Sequence, residues 1–402
     1  MSRFSPAFKL GRHAIGPGQP TYVIAELSCN HNGDYDEAVR LLRAAKDAGC
    51  NAVKLQTYTA DTISRRIKNE RFRIRGSMWD GSYTFDLYDK AATPYEWHER
   101  LFAEAASLDL DMFSSPFDES AVDFLESLNA PFYKVASFEV VDHPLLVKMA
   151  KTGKPIVMSN GMTYLHELDE AIGILADAGC KELALLHCNS GYPTRFEEAH
   201  LRTIPVLAQM YSVPIGLSDH SLWADADPKD PKDSMPHIAP TEGVRLGACI
   251  VEVHLLGDRD EARALFAKGE GGFDWPFSRT PTELKKMVDS IRAVEKDRNI
   301  SYETELEREC AARALGSVCF EPTVRELGNR GTRPTLWITK AVKKDDVLRF
   351  EGGGANADGN FDSIRPGGGL HTRYAAVLEG TRAACDVEAG TPLSWDHVLL
   401  RG

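Results

Sequence analysis

Eight short apolar runs recur through the first two-thirds of this 402-residue chain, and nearly every one ends in a polar or charged residue. They cover residues 22–26, 52–56, 111–115, 132–136, 155–159, 183–187, 214–218 and 250–254, and most are followed by a stretch of helical periodicity. A continuous apolar run suits a parallel strand buried on both faces, and alternation with helices implies a parallel sheet. The repeat predicts the α/β class and, within it, a (β/α)8 TIM barrel, whose strand ends converge on one mouth where chemistry sits. The residues expected at that mouth are Glu26, Lys54, Gln56, Ser115, Lys134, Ser159, Ser190, His220 and His254. Two lysines, two histidines, a carboxylate and several hydroxyls there suggest an enzyme that handles an anionic substrate with a metal ion.

The first unit shows the pattern in detail. After the run 22–25 comes a turn-forming loop, then Asp36 as a candidate helix cap, apolar positions Ala38, Leu41, Leu42, Ala45 and Ala48, and Gly49 as a stop. Residues 1–20 read as a lead-in, with a hairpin over the barrel floor as one reading. Residues 57–90 break the rhythm, being long, charged and aromatic; a loop of this length at the catalytic end suits a lid or specificity element. Its arginines (Arg65, Arg66, Arg71, Arg73, Arg75) taken singly read as solvated. A second break, 223–242, contains Asp225-Ala226-Asp227-Pro228 and is turn-rich and too polar for a helix. Helices are expected over 283–298 and 301–315. The domain boundaries expected are 1–298 for the barrel, 299–335 for a linker with Pro322, Gly328, Gly331 and Pro334, and 336–402 for a small domain with many turns and short β-like runs. About sixty residues make a marginal core, so that domain should dock on the barrel or a neighbouring subunit.

The net charge of −12 and the lack of a long basic block argue against nucleic acid as a partner. No apolar run is long enough to span a bilayer, and residues 1–11 lack the apolar core of a secretory signal. Eight scattered cysteines without a CxxC read as reduced thiols in a cytoplasmic protein.

Lys54 and Lys134 each stand inside an otherwise apolar strand, where an ammonium is costly unless paired. A phosphate or carboxylate clamp, a Schiff-base lysine and a salt bridge to a neighbouring strand all fit; a barrel mouth favours function. His220 and His254 follow consecutive strands and could bind a divalent ion. Spacing alone favours two unrelated, hydrogen-bonded histidines, because a third ligand is missing. Serines recur at one height, at Ser115, Ser137, Ser159, Ser190 and Ser218, and Asn160-Gly161 could turn backbone N–H groups toward a phosphate. Glu26 and Glu139 could orient water or sugar hydroxyls, or pair with Lys54 or Lys134.

The segments Ala25-Glu26-Leu27-Ser28-Cys29-Asn30-His31-Asn32-Gly33, Val53-Lys54-Leu55-Gln56-Thr57-Tyr58, Phe113-Ser114-Ser115-Pro116-Phe117-Asp118, Tyr133-Lys134-Val135-Ala136-Ser137-Phe138-Glu139 and Gly216-Leu217-Ser218-Asp219-His220 together resemble the sialic acid (nonulosonate) synthases. Ser363-Ile364-Arg365-Pro366-Gly367-Gly368-Gly369-Leu370 resembles that family's antifreeze-protein-like (SAF) domain. The pseudaminic acid synthase branch is most similar, on Leu87-Tyr88, Thr93-Pro94-Tyr95-Glu96-Trp97-His98 and Ser137-Phe138-Glu139.

The resemblance implies condensation of phosphoenolpyruvate with the open-chain aldehyde of an acetamido sugar, the product being a nine-carbon keto acid such as pseudaminic acid. N-acetylneuraminate and legionaminate synthesis are the alternatives within the family; a Schiff-base aldolase and a non-catalytic sugar-binding barrel are those outside it. In the family reading Lys54, Lys134, Ser115, Ser159, Ser190 and Ser218 hold the phosphate and carboxylate. Manganese or magnesium is implied on His220 and His254, Glu26 handles the water, Gln56, Glu139 and Asp274 meet the sugar, and Ser137 is a further substrate-binding residue. Arg365 is implied to enter a partner subunit's mouth, which makes a domain-swapped homodimer. Three segments depart from the family pattern: 223–242, 257–272 before Asp274, and Thr332-Arg333-Pro334-Thr335 at the start of the small domain.

Overall fold

The computed structural model describes residues 3–75, 78–224 and 234–399. A hairpin, β1 (Phe8–Leu10) and β2 (His13–Ile15), opens the chain. Strands β3 (Tyr22–Glu26), β4 (Ala52–Thr57), β5 (Asp111–Pro116), β6 (Tyr133–Val135), β7 (Ile156–Ser159), β8 (Leu183–Cys188), β9 (Ile215–Asp219) and β10 (Ile250–His254) then close in sequence order, with β10 pairing β3. All pairs are parallel, as the apolar runs require. Phe8, Leu10 and Ile15 of the hairpin pack with Tyr22, Ile250 and Phe132 as the apolar floor of the barrel. The polar residues are left at the opposite end.

The helix Tyr35–Ala48 shows how the outer ring is specified. Ala38, Leu41, Leu42, Ala45 and Ala48 form its buried face, and Gly49 ends it at φ 93°. Its cap is Asp34, whose carboxylate accepts from the N–H groups of Asp36 and Glu37. Asp36 lies in the first turn, where its charge still favours the helix N-terminus.

Two breaks in the rhythm contain helices that composition hid. Ile238–Arg245 begins inside the stretch expected to be turns. Burial of Ile238 and Ala239 in the main core outweighs the polar composition, and Pro240 falls in the first turn, where an N–H is not needed. Residues 225–233, with the Asp225–Pro228 motif, lie outside the described residues. In 257–272 the helix Arg259–Lys268 is capped by Asp258 and stopped by Gly269.

The stretch expected as a linker carries two helices, Glu305–Leu315 and Val324–Arg330. The second is fixed to the barrel: Glu326 accepts from the backbone N–H of Met162 at 2.7 Å and of Ser190 at 2.8 Å. Glu167 binds both Arg330 and Arg333. Beyond it, β11 (Thr335–Ile338) pairs with β12 (Phe361–Ile364) and β14 (Thr391–Pro392), and β13 (Arg382–Ala383) pairs with β15 (Val398–Leu399). Leu336, Ile338, Leu348, Phe361 and Leu378 make a separate small core.

The small domain docks on the 57–91 excursion, which holds the helices Ala60–Ile63 and Thr84–Ala91. Arg65 is paired with Glu351 at 2.6 Å and is mostly buried, not solvated; Arg75 does extend into solvent. Trp337, with no exposed surface, packs on Phe72 and donates from Nε1 to Pro366 O at 2.9 Å. No described helix is long and apolar enough to cross a membrane. Trp337→Ala should lower the unfolding free energy by ~3–5 kcal/mol, the usual cost of emptying a large aromatic site. Urea unfolding within ~1 kcal/mol of wild type would show that this contact does not hold the domain.

Candidate active site

In the barrel register Glu26 lies beside Lys54, Gln56 beside Ser115, Ser218 beside Glu252, and His254 beside Glu26. One cavity at the strand ends is lined by Glu26, Lys54, Gln56, Ser115, Lys134, Ser137, Ser159, Ser218, His220, His254, Asp274 and Arg365. Of the residues singled out in the sequence for the site, Glu139 and Ser190 stand behind this lining, as do Asn160 and Gly161. Glu139 is taken up by an ion pair with Arg365, not by either lysine. Ser190 packs behind Cys188, its Oγ 3.6 Å from the sulfur.

The floor is ionic. Lys54 Nζ lies 2.5 Å from Glu26 and 3.0 Å from Glu252. Lys134 Nζ donates to Ser159 Oγ at 2.7 Å and lies 3.7 Å from Glu252, which also accepts from Ser218 Oγ at 3.0 Å. Burial pushes the Lys54 ammonium down to about 8, against the pull of Glu252. Burial works against the charge of Glu252 too, but Lys134 and Lys54 hold it down to about 2. Ser115 Oγ is buried without a hydrogen-bond partner and faces the same cavity. Such a cage of desolvated ammonium and hydroxyl groups is equipped to take an anion.

Glu252 was not singled out in the sequence, although the signal was present. It is a charge inside the apolar run Ile250–His254, two residues before His254 and so on the same face. The reasoning applied to the lysines identifies it.

The backbone at Asn160-Gly161 is not free for a phosphate. Asn160 N–H bonds Leu186 O, and Gly161 N–H bonds Ser137 Oγ. Gly161 serves close packing, since a Cβ there would lie 2.2 Å from Ser190 Oγ.

The two imidazoles do meet. Their centroids are 5.2 Å apart, and Phe277 packs edge-on against both. His220 Nδ1 is 2.9 Å from Asn189 O, so it carries the proton and leaves Nε2 with its lone pair. His254 Nδ1 lies 3.1 Å from Asp274 Oδ2. Burial lowers both pKa values and keeps the rings neutral. Two neutral, oriented imidazoles fit a divalent ion. Among the described residues, no group of three or more His, Cys, Asp or Glu is placed to hold a metal.

Arg365 enters the mouth of its own barrel. It is 5% exposed, pairs with Glu139, donates to Tyr88 Oη at 3.1 Å and lies over Phe138. In this single chain Arg365 therefore reaches the position that the resemblance assigned to a partner subunit's arginine. The reason is the docking of the small domain on the excursion, where Arg365 N–H bonds Ile63 O at 2.9 Å and Ser64 Oγ bonds Arg365 O at 3.1 Å.

Comparison with known proteins matches this geometry. The NeuB family model covers residues 41–300, and the SAF domain model covers residues 357–399. The chain is 33% identical over 381 residues to pseudaminic acid synthase of Helicobacter pylori, covering 94% of this chain and 98% of that protein. It is 29% identical to N,N'-diacetyllegionaminic acid synthase of Legionella pneumophila, covering 95% and 96%. The crystal structure of spore coat polysaccharide biosynthesis protein SpsE from Bacillus subtilis superposes with a TM-score of 0.75 at 28% identity, covering 98% of this chain and all of that one. A match over seven of the eight barrel strands, with Lys54, Lys134 and Glu252 among them, joined to a SAF domain match, makes this chain a member of the NeuB family.

Proposed function

We propose that this protein is a cytoplasmic, divalent-metal-dependent pseudaminic acid synthase, built as a 1–298 barrel, a 299–335 connector and a 336–402 closing domain. It would condense phosphoenolpyruvate with an open-chain 2,4-diacetamido-2,4,6-trideoxy-altrose-type sugar and water to give the nine-carbon keto acid and phosphate. The observation that carries this reading is the buried floor of Lys54, Glu252 and Lys134 beside two neutral histidines. The 33% identity to a pseudaminic acid synthase supports the choice of sugar.

Lys54, Lys134, Ser115, Ser159 and Ser218 bind the phosphate and carboxylate of phosphoenolpyruvate. The sugar aldehyde lies toward the histidines, with Gln56 and Asp274 on its oxygens and Arg365 at its acetamido group. The methylene carbon of phosphoenolpyruvate forms a bond to the aldehyde carbon as the C=O π pair moves onto the aldehyde oxygen, which takes a proton from solvent, and cationic character develops at the carbon bearing the phosphate. Glu26 is fixed through Oε1 by the Ser28 N–H at 2.7 Å, and it orients water toward that carbon and takes its proton. The tetrahedral carbon then expels phosphate, whose charge the lysines receive. His220 and His254 would hold a divalent ion, manganese or magnesium, which when bound would supply Lewis acidity for the aldehyde. The formal charge of the mouth supports the need for a cation. Lys54, Lys134 and Arg365 stand against Glu26, Glu139, Glu252 and Asp274, three against four, so the net is −1 before any anion enters.

His220→Ala should reduce phosphate release by more than about a hundredfold while leaving the circular dichroism spectrum unchanged. Chelation should do the same reversibly; full activity in chelated buffer would remove the metal from the reading.

Lys54 gives a pH dependence. Anion binding favours the charged ammonium and raises its pKa, so affinity is complete below the free-enzyme value and is lost as pH rises through about 8. The groups facing Lys54 are Glu26, Glu252, Lys134 and Cys188. KM for phosphoenolpyruvate should be flat near pH 7 and climb above pH 8, and Lys54→Arg should move that rise upward. A KM independent of pH from 7 to 9.5 contradicts the role.

The homodimer is tested by mixing. An Arg365→Ala chain and a Lys134→Met chain, each inactive, should stay inactive together if every chain closes its own mouth. Recovery toward about a quarter of wild-type activity would establish the exchanged dimer.

A further inference from the structure

The two imidazoles at the mouth are backed differently. His254 has a carboxylate beside it, with Asp274 Oδ2 3.1 Å from its Nδ1. His220 has a backbone carbonyl, that of Asn189, which accepts from Nδ1 at 2.9 Å. The peptide bearing this carbonyl is trans, so its N–H, on Ser190, leaves from the opposite edge of the same plane. That N–H donates to Glu326 Oε1 at 2.8 Å. Glu326, the Asn189–Ser190 amide and the His220 ring therefore stand in one hydrogen-bonded row, from a carboxylate on the connector to an imidazole at the mouth.

A glutamate three residues after Thr323 is accounted for by helix capping, and Glu326 Oε2 does accept from the Thr323 N–H at 2.9 Å. Capping does not call for burial, yet Glu326 is 3% exposed and reaches the ends of two barrel strands. Oε1 also accepts from the Met162 N–H at 2.7 Å, beyond β7, and Oε2 from Asn189 Nδ2 at 3.3 Å, beyond β8. These donors are neutral amides, which hold the carboxylate in place and leave its charge uncancelled. The same helix grips the next peptide, because Asn329 Nδ2 donates to Ser190 O at 2.7 Å. Asn189 Oδ1 is used as well, accepting from the Gly191 N–H at 2.9 Å and from Thr194 Oγ1 at 3.0 Å. The loop cannot turn its carbonyl away from His220 without breaking these bonds.

A carboxylate on the N–H of an amide polarises it and strengthens its carbonyl as an acceptor. A stronger acceptor on Nδ1–H fixes the ring and makes Nε2 a better metal ligand. We propose that Glu326 is a positioning residue for His220, acting through the Asn189–Ser190 peptide as the counterpart of Asp274 beside His254, so that the connector helix completes the divalent-ion site. This rests on the metal assignment proposed above. The ion pair of Arg333 with Glu167 ties the connector to the barrel without touching that peptide, and it supplies a control.

The test is manganese binding to the full chain without substrates, read from the electron paramagnetic resonance signal of the free ion, which gives affinity and number of sites separately. Glu326→Ala should raise the dissociation constant roughly 10–100-fold, the range for a partner behind a metal-binding histidine. Glu326→Gln keeps the shape and an oxygen for the Ser190 N–H but not the charge. Its affinity should fall between wild type and Glu326→Ala, and it carries the test if Glu326→Ala does not fold. Arg333→Ala should bind as wild type does. Wild-type affinity in either Glu326 variant, fewer sites at unchanged affinity, or an equal loss in Arg333→Ala overturns the relay. A wild-type chain that binds no manganese overturns the metal assignment and the relay together.

Discussion

The buried layer of Lys54, Glu252 and Lys134 sets the terms for the rest of the molecule. Each ion costs several kcal/mol to bury, and that cost is offset only where partners are supplied in fixed positions. The barrel supplies them, because β4, β6 and β10 project alternate residues inward at one height, with Ser159 and Ser218 on the strands between. Branched apolar residues would fill this layer more stably. What the ionic layer provides is desolvated ammonium groups in fixed orientation, ready for an anion without reorganisation. Glu252 competes with any incoming anion for the same two ammoniums, so affinity is a difference between two strong interactions and not a sum of contacts.

An ionic floor open to bulk water would lose much of that strength to screening. The excursion and the C-terminal domain narrow the opening together. Arg65 pairs with Glu351, Phe72 packs on Trp337, and backbone and side chain join Ile63 and Ser64 to Arg365. Each supplies the other with a buried face. Arg365 extends this cover inward, its charge met by Glu139 and its plane by Phe138 and Phe117.

The legible part of the fold was the part decided by local pattern. Parallel strands buried on both faces leave apolar runs, and an ion inside such a run is visible as an exception, so Lys54, Lys134, His220 and His254 could be placed at one mouth from sequence alone. Glu252 obeys the same rule. The helices Ile238–Arg245 and Val324–Arg330 were hidden because tertiary burial and the carboxylate of Glu326 fix segments whose own composition favours turns. The pairing of Glu139 with Arg365 joins residues 226 apart in sequence, and no periodicity carries such a contact. Nor does any local signal say that Arg365 closes its own barrel.

The two sides of the mouth are built by different physics. The floor is a matter of strand register: moving one inward residue changes the hydrogen-bond ladder and every ion that depends on it. The apolar wall of Ile74, Trp79 and Leu87 hangs on side chains of an excursion tied down at its ends, where substitution alters shape without touching the ladder. A barrel made this way fixes its ionic floor rigidly, while the shape of the wall is free to vary with the excursion.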